Sequence, residues 1–151
     1  MSPETIFAIA NNGVLPFWLL LAVAPKWRGT QILVQSVVVP VALGLTYAWM
    51  MSTSFLAPAQ GSGGGDFFSL QGVMTLFANP VAMTAGWIHY LLFDLFVGAW
   101  ETRDAVRRGF PHWLLIPCLF FTLMFGPIGL LLYLVLRAAT GKGGFFLSET
   151  A

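Results

Sequence analysis

Charge is the scarcest property of this sequence: only 9% of its 151 residues are Asp, Glu, Lys or Arg, whereas soluble domains carry about 25%. Because 58% of the residues are hydrophobic, we exclude a water-soluble globule and a disordered chain. The formal net charge of +1 offers no strong attraction to nucleic acid, so no nucleic-acid partner is expected. The single cysteine, Cys118, excludes an intramolecular disulfide framework and a multi-cysteine metal cluster. The class of protein that these exclusions leave is a small protein embedded in a lipid bilayer.

Long charge-free runs separate the few charged residues, and about 20 apolar residues suffice for one membrane-spanning helix. We therefore predict an all-α, polytopic membrane protein with four transmembrane helices, because a spanning β-barrel would show short alternating strands instead. The predicted spans are Ile6–Pro25, Ile32–Met51, Pro80–Trp100 and Trp113–Leu136. Together they form a single integral membrane domain over residues 1–151.

Three features interrupt this pattern. Residues 60–66 are rich in glycine and serine, which predicts a flexible loop. After the loop, apolar residues recur at helical spacing and predict a short interfacial amphipathic helix before the third span: Phe67, Leu70, Val73, Met74 and Phe77. In the middle of the fourth span, Pro127 lacks a backbone donor and predicts a kink.

The basic residues predict the orientation in the membrane. Five of them fall in loops on one predicted side: Lys26, Arg28, Arg103, Arg107 and Arg108. Only Arg137 and Lys142 fall on the other side. We therefore expect the two basic loops in the cytoplasm and both termini on the non-cytoplasmic side. Because no long Ser/Arg-rich transit segment is visible, a bacterial inner membrane is expected rather than an organelle.

The third predicted span carries ionisable groups where hydrocarbon makes them costly, and such groups are candidates for a functional site. Trp87, Asp94 and Glu101 are spaced seven apart and fall on nearly one helix face. Tyr90, four residues before Asp94, joins that face. His89 lies about 140° around the axis from Asp94. No pair at i,i+3 or i,i+4 spacing suits a metal, so no metal site is predicted on this helix. A metal site would need ligands from other helices, such as His112 or Asn11 and Asn12.

Each of these groups has a structural and a functional interpretation. Asp94 could pair with Arg103 or Arg107 folded back from the loop, or it could serve as a general acid or base. His89 could be a neutral imidazole bonded to a neighbouring helix, or it could take part in proton transfer. The charged cluster after Glu101 is expected to be a solvated helix end in which Asp104 attracts Arg108.

Aromatic and amide side chains complete the candidate site. Aromatics make up 15% of the sequence, and a Phe-rich surface would accommodate a long apolar polyene as well as ordinary lipid. Intramembrane amides such as Asn11 and Asn12 usually bond helix to helix. The candidate substrate-binding residues are Trp87, Tyr90, Phe93, Asn12 and His112.

Several strings of the chain resemble the abscisic-acid-deficient-four family, small four-span proteins of plastids and bacteria. The strings are Leu76-Phe77-x-Asn79-Pro80, Ala85-Gly86-Trp87-x-His89-Tyr90-Leu91-x-Phe93-Asp94-Leu95-Phe96-Val97-Gly98, His112 with Pro117-Cys118-Leu119, and Gly126-Pro127-x-Gly129. In plants the family is implicated in making neoxanthin, an allenic carotenoid, from violaxanthin, an epoxide. The resemblance implies a bacterial-type protein of carotenoid metabolism whose ligand is a carotenoid or another long apolar molecule. The substrate and any cofactor stay open.

The implied reaction is an isomerisation by acid/base chemistry, for which Asp94 and His89 are the predicted catalytic residues and Glu101 a reserve. The alternative is a non-catalytic subunit that binds carotenoid or assembles a membrane complex. Because two polar side chains on different faces of one helix are hard to shield, a homodimer or a larger membrane complex is also predicted.

Overall fold

The computed structural model describes residues 1–56, 65–144 and 147, and its regular secondary structure there is helical. The helices are α1 (Pro3–Gly13), α2 (Leu15–Val23), α3 (Arg28–Leu33), α4 (Val38–Leu56), α5 (Leu70–Phe77), α6 (Pro80–Arg108), α7 (His112–Phe125) and α8 (Pro127–Ala139). Within the described part, three stretches are long and apolar enough to cross a bilayer: Pro3–Val23, Arg28–Leu56 and Pro80–Arg108. The described part of the protein is therefore all-α, with three stretches that could span a membrane. Most of the predicted loop over residues 60–66 lies outside the described residues.

The chain folds into two compact units. The first comprises Met1–Gly13 and Pro40–Leu92, and the second comprises Val14–Val39 and Phe93–Ala151. Helix α6 contributes its first half to one unit and its second half to the other.

In the first unit, apolar side chains of α1, α4 and α6 form the core. Ile6, Met50, Ala85 and Ile88 are buried together there. The helix predicted after the loop is present as α5, and its interfacial location stays a prediction. It begins where the Ser69 hydroxyl accepts a 2.9 Å hydrogen bond from the Gly72 amide, as a helix N-cap does.

The N-terminus of α6 is also fixed by side-chain hydrogen bonds. The side-chain oxygen of Asn79 accepts a 2.9 Å hydrogen bond from the Val81 amide, and the Asn79 amide nitrogen donates to the Ser54 hydroxyl of α4 at 3.4 Å. Pro80 occupies the first turn, where its missing N–H costs nothing. This local sequence therefore fixes where the long helix begins.

In the second unit, the predicted fourth span is not one helix. The chain ends α7 at Phe125, turns at Gly126 and begins α8 at Pro127. The ring centroids of Phe110 and Tyr133 lie 5.3 Å apart, whereas a continuous helix would separate these residues by about 35 Å. Helices α7 and α8 therefore form an antiparallel hairpin, and the predicted kink is a full reversal.

Glycine and proline together explain the turn. Gly126 has φ +47° and ψ −94°, a conformation that residues with a Cβ rarely adopt. Gly129 packs directly on the backbone of Thr122, so the two helices approach closely. With 14 and 13 residues, each helix is about 20 Å long, shorter than the roughly 30 Å hydrocarbon core of a bilayer.

The reversal corrects the predicted distribution of basic residues. Nη1 of Arg137 donates a 2.9 Å hydrogen bond to Oδ2 of Asp104, and Nε of Arg108 donates a 2.7 Å bond to Oδ1 of the same carboxylate. Arg137 therefore lies at the same end of the second unit as Arg108. Its predicted placement on the opposite side from the basic loops is wrong, because that placement assumed a fourth crossing.

Candidate functional site

The second half of α6 buries three carboxyl groups inside the second unit. Asp94 is 9% exposed, Glu101 0% and Asp104 1%. Asp94 and Glu101 share one helix face, as their seven-residue spacing predicts. Since an isolated charge in an apolar interior is costly, the contacts of each carboxyl group indicate what it does.

Asp94 lies against the turn of the α7–α8 hairpin. A methyl group built on Gly126 would stand 2.6 Å from Oδ1 of Asp94, so the carboxyl group occupies the space that a glycine leaves open. The rise of α6 separates Asp94 from Arg103 by about 14 Å along the axis. Arg107 reaches Asp104 at 3.8 Å. The hairpin turn thus adjoins the carboxyl group of Asp94.

Glu101, seven residues after Asp94 on α6, contacts the hairpin at Thr122. The hydroxyl of Thr122 lies 3.1 Å from Oε1 and 3.2 Å from Oε2 of Glu101, and 2.9 Å from the carbonyl oxygen of Cys118. A hydroxyl carries one hydrogen and two lone pairs. Thr122 can therefore donate to an ionised Glu101, or accept from a protonated Glu101 while donating to Cys118. This arrangement serves both protonation states of the carboxyl group.

Asp104 is tied into a network that holds the hairpin to α6. It accepts hydrogen bonds from Tyr133 at 2.7 Å, Arg137 at 2.9 Å and Arg108 at 2.7 Å. The predicted attraction between Asp104 and Arg108 is confirmed. The predicted solvated helix end is wrong for Asp104, because the returning α8 covers it. The guanidinium of Arg137, itself 2% exposed, lies 6.0 Å from the ring of Trp100.

Sequence reasoning missed Tyr133 and Arg137 as partners of Asp104. The only signal in the sequence is their spacing of four, which places them on one face of α8. Without the reversal at Gly126, nothing would bring that face to α6.

The first unit holds the aromatic part of the predicted site. Nε1 of Trp87 donates a 3.0 Å hydrogen bond to Oδ1 of Asn11, and the Trp87 ring stacks on Tyr90 with centroids 5.1 Å apart. Asn12 instead donates to the Ala8 carbonyl of its own helix at 2.8 Å. The structure therefore brings Asn11, rather than Asn12, to the predicted aromatic residues.

The remaining predicted residues lie on surfaces. His89 is exposed in the first unit, with its ring 5.6 Å from that of Tyr47. Phe93 is 50% exposed in the second unit. His112, also in the second unit, lies with Nε2 2.7 Å from the Ala22 carbonyl oxygen. Across the described ranges, no group of three His, Cys, Asp or Glu side chains is placed to bind a metal ion.

Comparison with known proteins gives this arrangement a context. A family model described as ABA DEFICIENT 4-like matches residues 5–133. Protein ABA DEFICIENT 4, chloroplastic, of Arabidopsis thaliana is 26% identical over 148 residues, covering 89% of this chain and 61% of the relative. The chain therefore spans about three fifths of the relative's length. No solved structure matches the chain. The matched range contains the three buried carboxyl groups and the hairpin turn.

Proposed function

Because this chain belongs to the ABA DEFICIENT 4-like family, we propose that it acts in carotenoid metabolism as a membrane-embedded isomerase. The proposed substrate is a carotenoid epoxide, and the proposed product is the isomeric allenic alcohol. The observation that carries this proposal is the pair of buried carboxyl groups, Asp94 and Glu101, on one face of α6 and against the hairpin.

The reaction needs one proton delivered and one removed. A proton goes to the epoxide oxygen as its carbon–oxygen bond breaks, which leaves a hydroxyl group. A base takes a proton from the adjacent polyene carbon, and the electron pair of that C–H bond completes the allene. Product and substrate are isomers, so no oxidant or reductant is consumed. Two carboxyl groups, one protonated and the other ionised, can supply the acid and the base.

The chain's own groups support these roles in different ways. Asp94 sits against a glycine turn, so no side chain of the turn residue crowds its carboxyl group. Glu101 has Thr122 to satisfy it before and after proton transfer. We propose His89 as a further proton carrier, and Trp87, Tyr90, Phe93, Asn12 and His112 as residues that contact the carotenoid.

The test uses isosteric substitutions that remove the titrating proton. Asp94→Asn and Glu101→Gln should each abolish or sharply reduce the allenic product when the protein is expressed in a host that makes epoxy-carotenoids. Glu4→Gln is the matched control, since it makes the same change in an exposed carboxyl group. Chromatography of membrane pigments, with immunoblots for protein level, is the measurement. Unchanged pigments at normal protein level would remove Asp94 and Glu101 from the catalytic role.

His89→Gln is measured in the same host. A loss of product at normal protein level supports proton transfer by His89, and unchanged pigments exclude it.

A second candidate function is binding of carotenoid without catalysis. Phe93 and Phe96, three residues apart on α6, are 50% and 51% exposed, and such a surface suits a long apolar polyene. A purified protein that retains stoichiometric pigment, yet forms no product on incubation, would favour this function. Release of an isomerised pigment would favour the enzyme.

We also propose a location and an assembly. The chain lies in a bacterial inner membrane, with the basic end of the second unit in the cytoplasm. It forms a homodimer or a larger membrane complex, which would cover apolar and polar side chains such as His89 that the single chain leaves exposed. Crosslinking in native membranes tests the assembly, and recovery of monomer alone would refute it.

A further inference from the structure

Two cavities adjoin each other at the basic end of the second unit. The first, about 200 Å³, is lined by polar and basic side chains that include Lys26, Gln31, Gln35, Arg103 and Arg107. The second, about 400 Å³, is lined mainly by apolar side chains such as Val23, Ala105 and Leu115. Pro25, Lys26 and Val106 belong to both linings. A single ligand could therefore occupy both cavities.

The loop between α2 and α3 forms one wall and is held by specific bonds. The buried hydroxyl of Thr30 donates to the Ala24 carbonyl at 2.7 Å. The Trp27 amide donates to the same carbonyl at 3.1 Å, and the Gln35 side-chain amide donates to the Pro25 carbonyl at 3.4 Å. Because these bonds define the loop, Lys26 projects from a structured wall.

Charge is unevenly distributed around these cavities. Within the described part of the chain, neither lining includes an Asp or Glu side chain. Three basic side chains, Lys26, Arg103 and Arg107, therefore converge on the lining of the polar cavity.

We propose that the two cavities together bind an anionic phospholipid of the bilayer. Its phosphate lies between Lys26, Arg103 and Arg107, and the start of one acyl chain enters the apolar cavity over Val106. Guanidinium groups recognise phosphate oxygens in a bidentate manner, and lysine adds a point charge. Basic pockets between membrane helices on the cytoplasmic side are suited to anionic headgroups.

The competing explanation is that the same basic residues only set the orientation in the membrane. That role depends on the number of charges near the membrane surface and not on their convergence on a cavity. Arg28 and Lys142 provide the comparison, since both are exposed and neither is in either lining. Removing these two charges changes the net charge as much as removing Arg103 and Arg107.

The experiment compares Arg103→Gln/Arg107→Gln with Arg28→Gln/Lys142→Gln. Each full-length protein is purified in mild detergent, offered phosphatidylglycerol or phosphatidylcholine, and analysed by native mass spectrometry. We expect the parent and the Arg28/Lys142 variant to retain one phosphatidylglycerol. The Arg103/Arg107 variant should bind it on the order of tenfold more weakly or worse, since it loses charge-assisted hydrogen bonds to the phosphate.

Val106→Phe adds a second arm, because it fills the shared wall without changing charge. It should displace phosphatidylglycerol while the thermal unfolding midpoint stays near that of the parent. The proposal fails if both double variants lose lipid equally, if phosphatidylcholine is retained as well as phosphatidylglycerol, or if Val106→Phe binds lipid normally. It also fails if millimolar inorganic phosphate displaces the lipid fully, because the site would then recognise phosphate alone.

Discussion

Replacing Gly126 with alanine should destabilise the α7–α8 hairpin, and by more than replacing Gly141 costs the same unit. Gly126 has φ +47° and ψ −94°, where a Cβ costs on the order of 1–3 kcal/mol in backbone strain. The added methyl group would also stand 2.6 Å from Oδ1 of Asp94, and overpacking of this kind costs about 1–3 kcal/mol. The expected loss in free energy of unfolding is therefore about 2–6 kcal/mol.

Gly141 is the matched control because it separates strain from collision. It also has a positive φ, +65°, but a methyl group there would meet nothing within 4 Å. Gly141→Ala should therefore cost only backbone strain, and Gly126→Ala should cost more free energy of unfolding, because it adds the collision with Asp94. Free energies of unfolding measured in mixed detergent micelles, followed by circular dichroism, give both values.

A double-mutant cycle tests the assignment to Asp94 directly. In an Asp94→Ala background the carboxyl group is gone, so the cost of Gly126→Ala should fall by about 1–3 kcal/mol. In an Asp94→Asn background the side chain keeps its shape, so the cost should stay high. Equal costs of Gly126→Ala in all three backgrounds would refute the contact between Asp94 and the turn.

Further predictions concern the same two units. Arg137→Gln should lower the free energy of unfolding by about 3–5 kcal/mol, since it leaves Asp104 buried without one of its cations. Tyr133→Phe should lower it by only about 1–2 kcal/mol. Chemical unfolding in micelles measures both values, and equal losses would contradict this ranking. Trp87→Phe removes the hydrogen bond to Asn11 and should lower the free energy of unfolding by about 1 kcal/mol. Asn11→Ala in the Trp87→Phe background should then lower it little further, as measured by the same assay. A reporter enzyme fused to the C-terminus should have the same sidedness as one inserted after Gly109, because Arg137 returns to Asp104; opposite sidedness would restore a fourth crossing.

Much of the architecture follows from local sequence. The scarcity of charge and the long apolar runs identify an all-α membrane protein, and three stretches of sufficient length support this. Ser69 and Asn79, which accept hydrogen bonds from nearby amides, explain where α5 and α6 begin. These features are predictable because each depends on residues only a few positions apart.

The hairpin is harder to predict, because Gly126-Pro127 is compatible with both a kink and a reversal. The choice depends on non-local contacts: Tyr133 and Arg137 reach Asp104 only if α8 folds back, and Gly129 must fit against Thr122. A charged residue near a helix end, such as Asp104, is most simply interpreted as solvated. The burial of Asp104 could not be inferred from the sequence, because it depends on α8 folding back onto α6.

The shortness of α7 and α8 has a consequence for how the protein is made. Neither helix is long enough to rest across a bilayer alone, so membrane insertion cannot come first and helix packing later for this part of the chain. The two helices must enter together, already paired around Gly126. For residues 112–139, we therefore expect a defect at the turn to impair membrane insertion as well as stability.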